Sequence, residues 1–353
     1  MHRNDSPDAT YTKTWTHDRG EVRFFTRSDG SRLRYYTVGT GPALVLMHTV
    51  RGQLDYFQRV IPQLWDHYTI YAIDLPGMGW SDIVPGAQYE EPQLRAAVVE
   101  FVRGLDLHNV TLSGESLGGA LALSASIDLK DRVTRVVAFN SYDYPEGGAR
   151  GNWIARLIIG SVRMPVLGSV FAHFEPRAIM RTILQGGYVD RTKLPEDFVT
   201  DLLRSGHRTG YDKVSRGIFR SLKGFDRARE RYPRVSAPVT LVYSENDWSR
   251  PAERDRVANA LTDVRPHHCA PHRPLLRAGA PRHHGPDSAR RGLQLTRNDR
   301  RQPPPKPRRG SDMTRPSPTS STASSSTPGT PSTTSVNATN RSSRPSTSPN
   351  SSK

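Results

Sequence analysis

The stretch Val110-Thr111-Leu112-Ser113-Gly114-Glu115-Ser116-Leu117-Gly118-Gly119 constrains the fold more than any other part of the chain. A short apolar run breaks into a glycine-flanked serine and then into the Ala- and Leu-rich residues 117–126, so the sequence asks for a strand turning abruptly into a helix at Ser116. A serine on so tight a turn must take a backbone conformation that most side chains avoid, and flanking glycines remove the atoms that would block it. Its hydroxyl is then offered at a helix N-terminus, where the dipole favours developing negative charge. Glycine and serine are common residues, so the pattern Gly114-x-Ser116-x-Gly118 is informative only through its setting.

That setting is an alternation of strands and helices. Ala43-Leu44-Val45-Leu46-Met47 is a short continuous apolar run, as a parallel strand covered on both faces needs, and it ends at His48-Thr49. Thr69-Ile70-Tyr71-Ala72-Ile73 reads the same way and runs into Asp74-Leu75-Pro76-Gly77-Met78-Gly79-Trp80-Ser81-Asp82. Residues 56–64 between them carry helix-spaced apolar positions. Residues 93–105 place Leu94, Val98, Phe101, Val102 and Leu105 on one helical face directly before the serine strand. Further strands are expected over residues 133–139 and 239–243. Strand and helix alternate, so the fold class is α/β with a mostly parallel sheet.

These motifs, in this order, resemble the α/β-hydrolase fold family over about residues 22–261, in the branch that includes esterases, C–C hydrolases, lactonases and perhydrolases. The resemblance rests on strand-His48-Thr49, Asp74-x-x-Gly77-x-Gly79-x-Ser81, Gly114-x-Ser116-x-Gly118-Gly119, and Val239-Thr240-Leu241-Val242-Tyr243 followed by Asp247. It implies an α/β-hydrolase core over residues 22–144 and 233–265, with a helical cap inserted at 145–232. Thr49 stands where the family usually has glycine, which alters the oxyanion region. Epoxide hydrolases and haloalkane dehalogenases of this fold carry aspartate at the elbow, whereas Ser116 points to attack on a carbonyl carbon.

The resemblance also implies a mechanism and its residues. Ser116 adds to an acyl carbonyl, and the backbone N–H groups of Leu117 and Val50 hold the oxyanion. Asp247 is the expected acid, with Glu245 and Asp255 close by and Asp143, just past the preceding strand, as the alternative. The family's histidine lies in a Gly-His-Phe-like segment followed by an acidic-Arg-Pro run, and no such segment stands here. His272 and His267 are the histidines at a workable distance from Asp247. The final strand and helix, on this reading, are missing. One alternative is therefore a crippled hydrolase-like protein without its base.

The reading frame offers an account of that loss. Codons able to encode residues 273–283, read one nucleotide forward, permit Gly-His-Phe-Ser-Ala-Leu-Glu-Arg-Pro-Asp, which is the absent family segment. A frameshift between about Leu261 and Arg273 is the resulting expectation. Composition changes at the same place: from Pro266 onward there are 15 Lys and Arg against 3 Asp, a net +12 of the chain's formal net charge of +16. Residues 266–353 read as a basic, Pro/Ser/Thr-rich disordered tail. A basic tail admits a nucleic-acid-binding module as a further reading, but it has little aromatic interleaving and residues 1–261 do not suggest it, so no specific nucleic-acid partner is expected.

Between the strands at 133–139 and 239–243, helices are expected over residues 153–161, 178–185, 196–204 and 211–222. Trp153, Phe171, Phe174, Met180, Tyr188 and Phe219 either line an acyl pocket there or form the cap's own core. His173 and His207 lack ligand spacing, so neither metal nor cofactor is expected. Residues 1–21 form a polar extension without the apolar stretch of a secretory signal, and no apolar run is long enough to span a membrane. Cys269 is the single cysteine. A cytoplasmic enzyme acting on a small-molecule carbonyl substrate follows, with oligomeric state left open.

Overall fold

The computed structural model describes residues 10–144, 177–185, 191–244, 247 and 249–269. Strands β1 (Glu21–Thr26), β2 (Arg32–Val38), β3 (Ala43–Met47), β4 (Thr69–Ile73), β5 (Val110–Glu115), β6 (Val133–Phe139), β7 (Val239–Ser244) and β8 (Val264–Cys269) form one sheet, ordered β1-β2-β4-β3-β5-β6-β7-β8. β2 pairs antiparallel with β1 and β4, and all other neighbours are parallel. This is the mostly parallel sheet of the α/β-hydrolase fold.

The continuous apolar runs follow from burial on both faces. In β3, Val45 and Met47 join a cluster with Leu94, Val98 and Phe101 of α2 (Glu91–Gly104) and Leu121 of α3 (Leu117–Asp128), while Leu44 and Leu46 face the opposite way. On that second face they meet Tyr11 and Trp15 of α1 (Thr10–Thr16), Leu54, Ile61 and Leu64. Successive strand side chains point to opposite faces, so every position of β3 needs an apolar residue.

Between β6 and β7 the chain forms α4 (Arg177–Gln185), α5 (Glu196–Gly206) and α6 (Tyr211–Ala228), and α7 (Pro251–Asn259) follows β7. The helix expected at 153–161 lies outside the described residues. Half-buried Arg208 anchors this helical insert to the core, donating to the carbonyls of Ser81 (2.9 Å) and Gly77 (3.1 Å).

Three expectations change. Residues 56–64 form no α-helix: single 3-10 turns run over Leu54–Phe57 and Ile61–Gln63, the second containing Pro62, which has no N–H to continue a helix. The polar extension holds α1, whose Tyr11 and Trp15, one turn apart, are buried. The final strand is present, because β8 continues through Cys269 in parallel register with β7, from Val239 opposite Val264 to Ser244 opposite Cys269. Strand pairing is a backbone interaction, and Pro266 is tolerated because β8 ends the sheet order.

Candidate active site

Register brings the candidate residues to one edge. Met47, Gly114, Ala138, Leu241 and Pro266 stand opposite one another across β3, β5, β6, β7 and β8. These strands run parallel, so Val50, Ser116, Asp143 and Asp247 all follow the C-terminal ends of strands on that edge.

Ser116 sits where β5 becomes α3, with φ 55° and ψ −115°. Such positive φ is strained for a residue with a side chain. The turn is locked by Ser116 N–H to Phe139 C=O (2.9 Å) and by Tyr142 N–H to Ser116 C=O (3.0 Å). A Cβ on Gly114 would lie 2.4 Å from the carbonyl of Gly118, and one on Gly118 would lie 2.2 Å from the Met47 carbonyl oxygen. Glycine is therefore required on both sides. The Ser116 side chain is half-buried, and its hydroxyl has no hydrogen-bond partner among the described residues. Leu117 is the first residue of α3, so its N–H has no acceptor within the helix.

The loop after β3 is braced by His48. Its Nε2 accepts from the Leu75 N–H (3.0 Å), which leaves the proton on Nδ1, donated to the Thr49 carbonyl (2.7 Å). Full burial lowers its pKa, against the pull of Asp74. Both ring nitrogens are engaged, so His48 is a brace and no proton acceptor. The Gly52 N–H closes a turn onto the Thr49 carbonyl (3.0 Å) around Val50. The Thr49 hydroxyl is buried without a hydrogen-bond partner among the described residues.

The Asp74-to-Ser81 motif is structural. Asp74 accepts from the N–H groups of Leu54 (2.6 Å) and Trp80 (2.7 Å) and pairs with Arg34 (3.1 Å), which also meets Asp55 (3.3 Å). Gly79, at φ 53°, is needed because a Cβ there would sit 2.3 Å from Asp74 Oδ2. All three charged groups are buried. Such a network fixes loop geometry more than it adds stability.

The two acids differ sharply. Asp247 is half-buried in the loop after β7, where its N–H meets the Ser244 carbonyl (3.1 Å) and its Oδ2 accepts from the Ser249 N–H (3.3 Å) and from the Ser249 hydroxyl. Asp143 is fully buried, and burial pushes its pKa up to about 7 despite hydrogen bonds from the hydroxyls of Tyr232 (2.9 Å) and Ser141 (3.0 Å). Its Oδ1 has no hydrogen-bond partner among the described residues.

Of the histidines, His267 lies within β8 opposite Val242, in the row that contains Glu115 and Phe139. Three strand spacings separate its backbone from β5, about 14 Å across the sheet. His272, together with Trp153, Phe171, His173, Phe174, Tyr188 and Glu245, falls outside the described residues. Met180 and Phe219 are buried in apolar clusters. No group of three or more His, Cys, Asp or Glu residues that could hold a metal occurs among the described residues, and no described helix is long and apolar enough to cross a membrane.

Sequence reasoning passed over Gln53, Asp201 and Ser205: Gln53 of the core bonds both of the others where α5 of the insert meets it. Nothing in their spacing announces this, since the hydrogen bonds join residues about 150 positions apart.

Comparisons with known proteins agree with this fold. A family model described as alpha/beta hydrolase fold matches residues 42–157. Haloalkane dehalogenase 2 of Mycobacterium tuberculosis is 30% identical over 125 residues, 35% of this chain and 43% of that protein, so the match spans less than half of the relative's length. Hydrolase YugF of Bacillus subtilis is 25% identical over 235 residues, 66% of this chain and 83% of that protein. Among solved structures, epoxide hydrolase CorEH superposes with a TM-score of 0.64 at 18% identity, covering 79% of this chain and 98% of its own. A mutant of the meta-cleavage product hydrolase CumD gives 0.57 at 17% identity, covering 79% and 95%.

Proposed function

Because this chain belongs to the α/β-hydrolase fold family, we propose that it is a serine hydrolase acting on a small-molecule carbonyl substrate, an ester, thioester or lactone, through an acyl-enzyme at Ser116. The observation that carries this reading is the strained turn. Backbone strain of about 1–3 kcal/mol is retained here to hold a half-buried hydroxyl, without a partner among the described residues, at a helix N-terminus. A serine at this turn suits addition to a carbonyl carbon: its oxygen forms the C–O bond, its proton passes to a base, and the carbonyl electrons move to an oxyanion. The N–H groups of Leu117 and Val50 are the proposed donors to that oxyanion. Collapse then expels the protonated alcohol or thiol, and water releases the acid by the reverse path.

For the orienting acid, the position of Asp247 after β7 and its hydrogen bonds from Ser249 support it. The buried Oδ1 of Asp143, an acceptor without a partner, favours Asp143 as the second reading. For the base, His272, which follows β8 in the sequence, is favoured over His267, whose strand position is too far from β5. The helices α4 to α6 fit the role of a cap over residues 145–232, and burial of Met180 and Phe219 in apolar clusters favours cap core over pocket lining for those two.

A crippled relative is the alternative that the separation of His267 from β5 favours. Hydrolysis of p-nitrophenyl esters decides between them. The expected outcome is measurable turnover that Ser116→Ala lowers by at least about a thousand-fold. Turnover unaffected by that change would overturn the reading. Turnover absent from this chain but present once the frame after Leu261 is shifted by one nucleotide would establish the crippled form. Asp247→Asn and Asp143→Asn, compared in the same assay, identify the acid.

A further inference from the structure

Gln53 joins the loop after β3 to the helical insert, and we propose that it is a positioning residue coupling the seating of α5 to the geometry of the Val50 oxyanion donor. The inference rests on the serine-hydrolase reading for its catalytic consequence. Gln53 is fully buried, three residues after Val50. Its Nε2 donates to Asp55 Oδ2 (3.0 Å) and to Asp201 Oδ2, and its Oε1 accepts from the Ser205 hydroxyl (2.9 Å). Asp201 and Ser205 are four apart on α5, on one helical face. The carboxylates only accept, so the amide orientation is set by its partners.

The loop is fixed elsewhere by the core. His48 holds one end through Thr49 and Leu75, and the Leu54 N–H is held by Asp74 at the other. Residues 49–53 lie between these anchors, and Gln53 is where α5 enters. Other polar ties of the insert go to different parts of the core, among them Arg208 to Gly77 and Ser81, Ser221 to the Tyr89 carbonyl (3.0 Å), Arg229 to the Asp143 carbonyl (2.7 Å), and the Lys193 carbonyl, which accepts from Arg59 (2.8 Å). A buried amide stripped of these partners is costly, so loop and helix move together. Substrates that let α5 seat fully therefore meet a complete oxyanion hole, and those that displace it meet a distorted one.

The test uses the full chain with two readouts, hydrogen exchange of the amides in residues 49–54 and p-nitrophenyl ester kinetics. Ser205→Ala removes one tie while leaving a good helix former. Exchange across residues 49–54 should rise roughly ten-fold. The kcat should fall roughly ten-fold with KM within about two-fold, as loss of a transition-state contact requires. Ser205→Thr, which keeps the hydroxyl, should restore both. Gln53→Met, of similar volume, carries the same expectation as the alanine variant if that one folds poorly. Exchange at the wild-type rate in these variants overturns the coupling whether or not the chain hydrolyses esters. Faster exchange with unchanged kcat overturns the catalytic positioning. If the unaltered chain turns over no ester while exchange still responds, the coupling stands and the hydrolase reading falls.

Discussion

Gly114 and Gly118 close on the backbone around Ser116 so tightly that neither has room for one added carbon. Gly118→Ala should therefore cost about 3 kcal/mol or more, read as a lowered urea midpoint, because the obstructing atoms are backbone and cannot swing aside. Asp143 carries a different signature. Its carboxyl is raised to about 7 by burial, so the folded state holds a proton that the unfolded state releases near pH 4. Stability should fall as pH climbs from about 4 to about 7 and level off above, since the folded state binds more protons across that window. Asp143→Asn should flatten this slope in thermal melts followed across pH. An unchanged slope would assign the burial cost to other groups.

At the scale of elements, what the sequence made legible depended on how each segment is stabilised. β3, β4, β5, β6 and β7 could be read directly because central strands must be apolar on both faces. β1 and β2 mix Arg and Tyr among their apolar positions, including the buried Arg34, and so carry no clean period. β8, with the sequence Val-Arg-Pro-His-His-Cys, is specified by register with β7 rather than by side-chain pattern. α1 is too short to show periodicity, yet Trp15 stacks edge-on against Tyr36 (5.3 Å) and its Nε1 donates to Asp55 (2.8 Å). Trp15→Ala should destabilise the fold by about 3–5 kcal/mol, measured by denaturant unfolding, since it removes a large buried ring and leaves a buried carboxylate short of a donor. The site divides in the same way. Ser116 and the loop after His48 were legible because the turn dictates its own residues, whereas Gln53 is defined by partners on a distant helix.

For the whole molecule, charge and stability are carried by different parts of the chain. Of the chain's formal net charge of +16, +12 follows residue 265. Removing residues 270–353 should thus sharply lower the salt needed to elute the protein from a polyanion column, with little change in the thermal midpoint of the remainder. A thermal midpoint that collapses on this deletion would mean that the tail carries folding information its composition does not suggest. The turn at Ser116 has a consequence for evolution as well. At φ 55° and ψ −115°, a glycine would rest more easily than the serine. In a lineage released from the need for turnover, selection for robust folding alone would favour replacing that serine, so Ser116→Gly should melt higher while doing nothing. A chain that has kept the side chain there bears the mark of past or present use.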